Sequence, residues 1–183
     1  MTASETYKLL RRVVGPWYKR NGFKLAKGYL TYQKALGARC FNVQWQCNSH
    51  GWEKFKGSSF AIRIDFSDGS NLDSAPLRRL TECLAFEQLE LIRARQNRVL
   101  ASIPPPPADY VQSMVAGFEK AFRDPKPYID LYLKGWASVS RPYRRNDDIW
   151  FRYFTEADVR AWAIMLQQHV EGIYERNVQR SAA

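Results

Sequence analysis

The sequence predicts an α+β domain, an antiparallel meander of about four strands with one apolar face covered by amphipathic helices. Three observations predict it. Apolar residues recur at helical spacing near both ends of the chain, and between Tyr29 and Asp68 the period changes to two. Short turns, too brief to hold crossover helices, separate the alternating segments, so neighbouring strands run antiparallel. A chain of 183 residues with 45% hydrophobic and 14% aromatic content buries one substantial core, and residues 1–183 read as a single domain.

Ser4 to Asn21 is the first helix, with Tyr7, Leu10, Val13, Val14 and Trp17 on one side and Lys8, Arg12 and Lys19 on the other. Pro16 removes a backbone bond and predicts a kink or short break after Val14. Gly22 supplies the left-handed residue that ends the helix, and Phe23 folds back onto its stripe. Tyr29 to Lys34 is a short strand, Ala35 to Ala38 with Gly37 a turn, and Arg39 to Asn48 a strand. In that strand Phe41, Val43, Trp45 and Cys47 face one way and Cys40, Asn42, Gln44 and Gln46 the other. After a loop at Ser49 to Gly57, Ser58 to Asp68 repeats the alternation. Phe60, Ile62, Ile64 and Phe66 point inward, and Ala61, Arg63 and Asp65 outward.

Asp68-Gly69 opens a turn, Asn71 to Pro76 is loop, and Leu77 to Leu80 suits either a fourth strand or a first helical turn. A helix over Thr81 to Ser102 carries Leu84, Leu91, Arg95 and Val99 in one stripe. Pro104 to Pro107 stop it as an extended spacer. Ala108 to Phe122 is helical, and Asp124-Pro125-Lys126-Pro127 ends it. Within Tyr128 to Arg145, alternation at Ile129, Leu131 and Leu133 suits a short strand or a packed loop.

Ile149 to Phe154 is apolar on both faces, the pattern of a strand buried on both. Thr155 and Asp158 form a capping pair for a last helix that carries Val159, Trp162, Ala163, Leu166, Val170, Ile173 and Tyr174 and runs to about Asn177. Residues 178–183 read as a disordered tail.

The order of a first helix, Asn21-Gly22-Phe23-Lys24, Tyr29 to Gln33, alternating strands, and Asp148-Ile149-Trp150 leading into a helix resembles the family called domain of unknown function 4304. The likeness covers most of the chain, with Pro104 to Pro107 and the following helix outside it. It implies an α+β domain with an antiparallel sheet and brings no activity or catalytic residue with it.

The net charge is +10, and all of the excess lies in residues 1–63, where 12 Lys and Arg face only Glu5 and Glu53. Lys8, Arg11, Arg12, Lys19, Arg20, Lys24, Lys27, Lys34 and Arg39 follow one another without an intervening acid. Such a region projects a positive potential toward phosphates or acidic side chains, although a solvated basic surface is the simpler explanation, since basic character alone is a weak predictor of nucleic-acid binding. The expectation is a non-catalytic binding module for nucleic acid or an acidic protein. Its candidate residues are Lys8, Arg12, Lys19, Lys24 and Arg39, with Asn42, Gln44, Gln46 and Arg63 on the polar sheet face.

Catalytic templates are mostly missing: no Gly-rich phosphate loop, no G-x-S-x-G and no H-E-x-x-H. His50 with Cys47 is half a zinc site by spacing, lacking a second pair, and His169 lies near the apolar side of the last helix. Cys40 and Cys47 lie on opposite strand faces and cannot pair. The alternative function is a metal-dependent hydrolase or phosphodiesterase using Asp65 and Asp68, with Asp73 nearby, without the Glu-x-Lys triplet of restriction-type nucleases. Asp65 is more simply explained as a surface partner of Arg63, and Asp147 and Asp148 as caps of a turn or partners of Arg144 and Arg145. No cofactor is implied. With no apolar run of about 18 residues and no signal-type segment in Met1 to Arg12, the sequence predicts a cytoplasmic protein with no membrane partner. Three cysteines suit free thiols in a reducing compartment.

Overall fold

The fold was analysed in a computed structural model, which describes residues 1–26, 29–37, 39–49, 51–67 and 78–182, with the backbone alone at 67, 78 and 180–182. Five strands run as an antiparallel meander: β1 (Lys24–Leu25), β2 (Leu30–Leu36), β3 (Arg39–Cys47), β4 (Ser58–Ser67) and β5 (Arg78–Arg79). A sixth, β6 (Phe151–Tyr153), pairs with β4 at Ser58–Phe60, beside β5 on the same edge. The α+β architecture is the one expected, with two very short strands beyond the four legible in the sequence.

The register aligns the apolar residues of successive strands: Val43 lies opposite Tyr32 and Ile64, and Trp45 opposite Leu30 and Ile62. Phe41, Val43, Trp45, Phe60 and Ile64 are completely buried. Their cover is two helices, α1 (Ala3–Arg20) and α5 (Glu156–Ala182). From α5, the fully buried residues are Val159, Trp162, Ala163, Leu166 and Val170, the expected stripe. From α1 the buried set is Thr6, Leu9, Leu10, Val14, Trp17 and Tyr18. That stripe is rotated slightly from the expected one, leaving Tyr7 and Val13 half-buried. Each fully buried large side chain contributes about 1.5–3 kcal/mol, so this one interface dominates the core.

Helix α1 continues through Pro16 and does not break after Val14. The burial of Trp17 and Tyr18 immediately beyond the proline holds the last turn in helical position. Thr2 and Glu5 cap its start reciprocally, at 3.2 Å (Glu5 N–H to Thr2 Oγ1) and 2.6 Å (Thr2 N–H to Glu5 Oε2). Gly22, at φ +75°, ends the helix as the sequence predicts.

The middle of the chain departs further from expectation. Of the 77–80 stretch, Leu77 lies outside the described residues, Arg78–Arg79 is β5, and Leu80 opens a single 3-10 turn (Leu80–Glu82). Helix α2 starts at Phe86, not Thr81, and ends at Ser102. Its buried stripe is Leu89, Ile92, Gln96 and Val99, while Leu91 is 59% exposed. Gln96 decides that orientation: its amide donates to Trp150 O (3.1 Å) and accepts from Arg152 N–H (3.1 Å), pairing the free edge of β6 as a strand would. A period search ranks glutamine as a surface residue and misses this. Ile129 to Leu133, expected as strand or packed loop, belongs to helix α4 (Lys126–Lys134), which follows α3 (Ala108–Ala121). Pro127 sits in the first turn of α4, where its missing N–H costs nothing. Residues 178–182, expected as a disordered tail, continue α5. Asp158 caps α5 by accepting from Phe154 N–H (3.0 Å) and Thr155 N–H (2.8 Å).

The loop before β4 is pinned by Gly57, at φ +66°, where an added Cβ would sit 2.2 Å from Tyr153 O on β6. Gly57→Ala therefore forces β4 and β6 apart and should lower stability by about 3 kcal/mol or more. At Gly22, whose nearest atoms to such a Cβ are 4.0 Å away, alanine meets only the backbone penalty of about 1 kcal/mol. Urea unfolding of both variants checks the difference, and equal losses would contradict the assigned contact.

Candidate anion-binding groove

The cations of α1 recur at helical spacing. Lys8, Arg11, Arg12 and Lys19, with Gly15 among them, fall within about 100° of arc at 3.6 residues per turn and so lie along one side of the helix, over about 16 Å. All four side chains are exposed. The buried side of α1 is committed to the core, and the exposed stripe borders a groove between α1 and the β1–β2 hairpin.

Two adjoining cavities form that groove, sharing Arg11 and Leu25. The larger, about 690 Å³, is lined by Tyr7, Lys8, Arg11, Leu25, Tyr29 and Leu30 among others. The smaller, about 400 Å³, is lined by Arg11, Arg12, Gly15, Pro16, Lys19, Phe23, Leu25 and Tyr32. No acid is among the described lining residues of either cavity. None of the ion pairs among the described residues involves Lys8, Arg11, Arg12 or Lys19.

The floor of the groove is rigid. Tyr32 stacks face to face on Tyr18, centroids 3.9 Å apart and planes 7° from parallel. Tyr18 accepts a 3.3 Å hydrogen bond from Trp45 Nε1. The Tyr32 hydroxyl rests against Gly15, where a Cβ would approach it to 3.2 Å. The residue is 5% exposed, and the hydroxyl has no hydrogen-bond partner among the described residues. Burial raises its pKa, with Arg11 acting in the opposite direction. Tyr7 anchors the other end, its hydroxyl accepting from Cys47 N–H at 3.0 Å. Tyr29 and Leu25 stay 54% and 45% exposed.

Of the nine residues named from sequence, three meet here: Lys8, Arg12 and Lys19. Lys24 pairs with Gln33 on the opposite face from Leu25 and Tyr32. Arg39 starts β3 at the hairpin end, opposite Leu36 and remote in register from Leu30. Lys34, one of the nine consecutive cations, is withdrawn: its Nζ donates to Asn21 O (2.7 Å) and to the Tyr174 hydroxyl, over the Tyr174 ring. Arg11 was legible as a cation but not as the residue shared by both cavities.

The second face of the sheet is not the open polar surface expected. Asn42 is 1% exposed and donates to Asp65 Oδ2 at 3.3 Å; Asp65 itself is 5% exposed. Arg63 pairs with Asp148 (3.4 Å), not Asp65, and Thr81 Oγ1 donates between Arg145 O (2.7 Å) and Asp147 O (2.9 Å). The segment leading into β6 thus lies against this face through Asp148. Gln44 is half-buried, and Gln46 lines a third cavity, of about 390 Å³, with Trp150 and with Tyr29, which it shares with the larger cavity of the groove. Asp147 accepts from Arg141 and from Arg144 N–H.

Among the described residues no three His, Cys, Asp or Glu are placed to hold one metal ion. Asp68, Asp73 and His50 lie outside the described residues, as do Lys27 and the 71–76 loop. His169 contacts Gln88 Nε2 through Nδ1 at 3.3 Å, and burial lowers its pKa. All three cysteines are free, Cys47 on the buried face and Cys40 half-buried on the other. Among the described residues no helix is long and apolar enough to cross a membrane. Comparison with protein-family models, curated proteins and solved structures finds no match.

Burial pushes the Cys47 thiol up to about 12 from 9.0. The unfolded chain loses that proton near pH 9 and the folded one retains it, so stability should fall as pH rises from 9 toward 12. At pH 8.5 a thiol reagent should leave Cys47 unmodified until urea unfolds the protein, with peptide mapping as the readout. Rapid modification in the native state would contradict its placement.

Proposed function

We propose that the protein is a non-catalytic binding module that takes an anionic partner in the groove between α1 and the β1–β2 hairpin. The observation that carries this reading is the convergence of Lys8, Arg11, Arg12 and Lys19 on two adjoining cavities with no acid in their described lining. Cations gathered along a concave wall reinforce one another's potential, whereas the same charges scattered over a convex surface are screened separately. The groove offers donors and cations only. Its described lining holds no His, Cys, Asp or Glu to serve as a general base beside the Ser4 hydroxyl, which favours binding over catalysis.

The alternative, a metal-dependent hydrolase on Asp65 and Asp68, draws no support from the described residues, because Asp65 is buried and already holds Asn42. The resemblance to domain of unknown function 4304 rests on its short motifs and adds an expected architecture without an activity.

Retention on immobilised heparin tests the proposal. The wild-type protein should bind at low salt and elute as salt rises, through counterion release. The triple variant Lys8→Ala/Arg12→Ala/Lys19→Ala should lower the slope of log affinity against log salt by about 2 to 3. The triple variant Lys120→Ala/Arg123→Ala/Lys134→Ala removes the same charge from exposed positions on and between α3 and α4 and should leave the slope nearly unchanged. Equal losses in both would mean net charge without a site, and no retention of the wild type would end the proposal.

A further inference from the structure

The basic end of the groove contains donors without an acceptor. Arg11, Arg12 and Lys19 line it, and so does Tyr32, whose hydroxyl is buried and unpartnered among the described residues. Buried polar groups in folded proteins are almost always paired, so a hydroxyl left over among three cations points to a ligand that only accepts. A phosphate oxygen meets that requirement, and so does a carboxylate.

The other end of the groove separates the two. Tyr29 and Leu25 are exposed on the rim, and the cavity between them and α1 is the larger and more apolar part of the groove. An acidic peptide gains little from an exposed ring beside its carboxylates. A nucleobase gains stacking, and every base has a π-face to offer. In a duplex those faces are occupied by neighbouring base pairs, so only an unpaired strand can present one.

We propose that the groove binds single-stranded nucleic acid, with a backbone phosphate at the Arg11–Arg12–Lys19–Tyr32 end and a base against Tyr29. The inference rests on the anion-binding reading above and adds the class of partner. It also assigns a role to Gly15, since any side chain there would occupy the space beside the Tyr32 hydroxyl.

Fluorescence anisotropy at low salt tests it with three probes: a labelled oligothymidylate of about eight nucleotides, an abasic sugar–phosphate strand of the same length, and poly-glutamate. The oligothymidylate should bind about tenfold tighter than the abasic strand. Tyr29→Ala should remove that advantage, bringing the oligothymidylate down to the affinity of the abasic strand, with circular dichroism to show that the variant is folded. Tyr32→Phe keeps the stack on Tyr18 and removes one hydroxyl. It should weaken both strands alike, by about three- to tenfold. Equal affinity for the two strands, or no effect of Tyr29→Ala, overturns the inference, as does an unchanged affinity in Tyr32→Phe. Poly-glutamate binding as tightly as the oligothymidylate would replace it with an acidic-protein partner. In each of these cases intact heparin retention leaves the anion-binding reading standing, and loss of retention removes both.

Discussion

The face-to-face stack of Tyr18 on Tyr32 fixes where α1 lies, and the position of α1 fixes the groove. A stacked pair of rings is worth about 0.5–1.5 kcal/mol beyond the area it buries, but its geometric effect is larger than its energy. Tyr18 also accepts from Trp45 and meets Phe23 edge-on, so the last two turns of α1 are tied to β2, to β3 and to the chain just beyond the helix. At the other end Thr6 bonds the Tyr153 hydroxyl at 2.9 Å, and Tyr7 bonds the backbone of Cys47. Trp17 reaches across to Glu171 of α5 at 3.0 Å. With both ends and one side fixed, α1 holds its exposed cationic side along the groove that it forms with β1 and β2.

A different kind of attachment holds α3 and α4. No described residue of α3 is buried, and α4 buries only Tyr132. Their link to the sheet runs through Glu53, which accepts from the hydroxyls of Tyr132 (2.9 Å) and Tyr110 (3.4 Å). Lys56 lies 3.8 Å from the Tyr132 ring centroid, and Trp136 Nε1 donates to Phe55 O at 2.5 Å. Burial lowers the Lys56 pKa, with Glu53 opposing. This polar and aromatic joint is self-contained, each charge being occupied by a neighbour. The α1 cations contrast with it: none makes an ion pair among the described residues, and Glu5, whose field reaches Lys8, is engaged in the helix cap.

Which features were legible in the sequence follows from what kind of signal they carry. Phe41 to Cys47 and Phe60 to Phe66 were readable because their large apolar side chains alternate with small or polar ones, although the second face is partly buried too. Val159 to Ile173 were readable because a helix packed on a broad face writes its burial at a period of 3.6. Gln96 was not, since its burial depends on completing the edge of a strand fifty residues away. Asn42 and Asp65 were taken for solvent-facing residues because they alternate with core residues, and alternation cannot tell water from a second protein layer. Lys8, Arg12 and Lys19 were correctly grouped by helical spacing. Lys24, Arg39 and Arg63 were grouped with them by charge alone, which carries no information on direction. Tyr32 carried no sequence signal at all, because an unpaired hydroxyl exists only once Gly15 has been packed against it.

The central claim is that one side of α1 and the facing hairpin form the anion site, as distinct from a diffusely basic surface. Amide chemical-shift mapping with a short heparin oligosaccharide tests it most directly. The account predicts that the shifts cluster at Lys8 to Lys19 and at Leu25 to Tyr32. Shifts centred instead on Asn42, Gln44 and Arg63, or spread evenly over every exposed Lys and Arg, would contradict it.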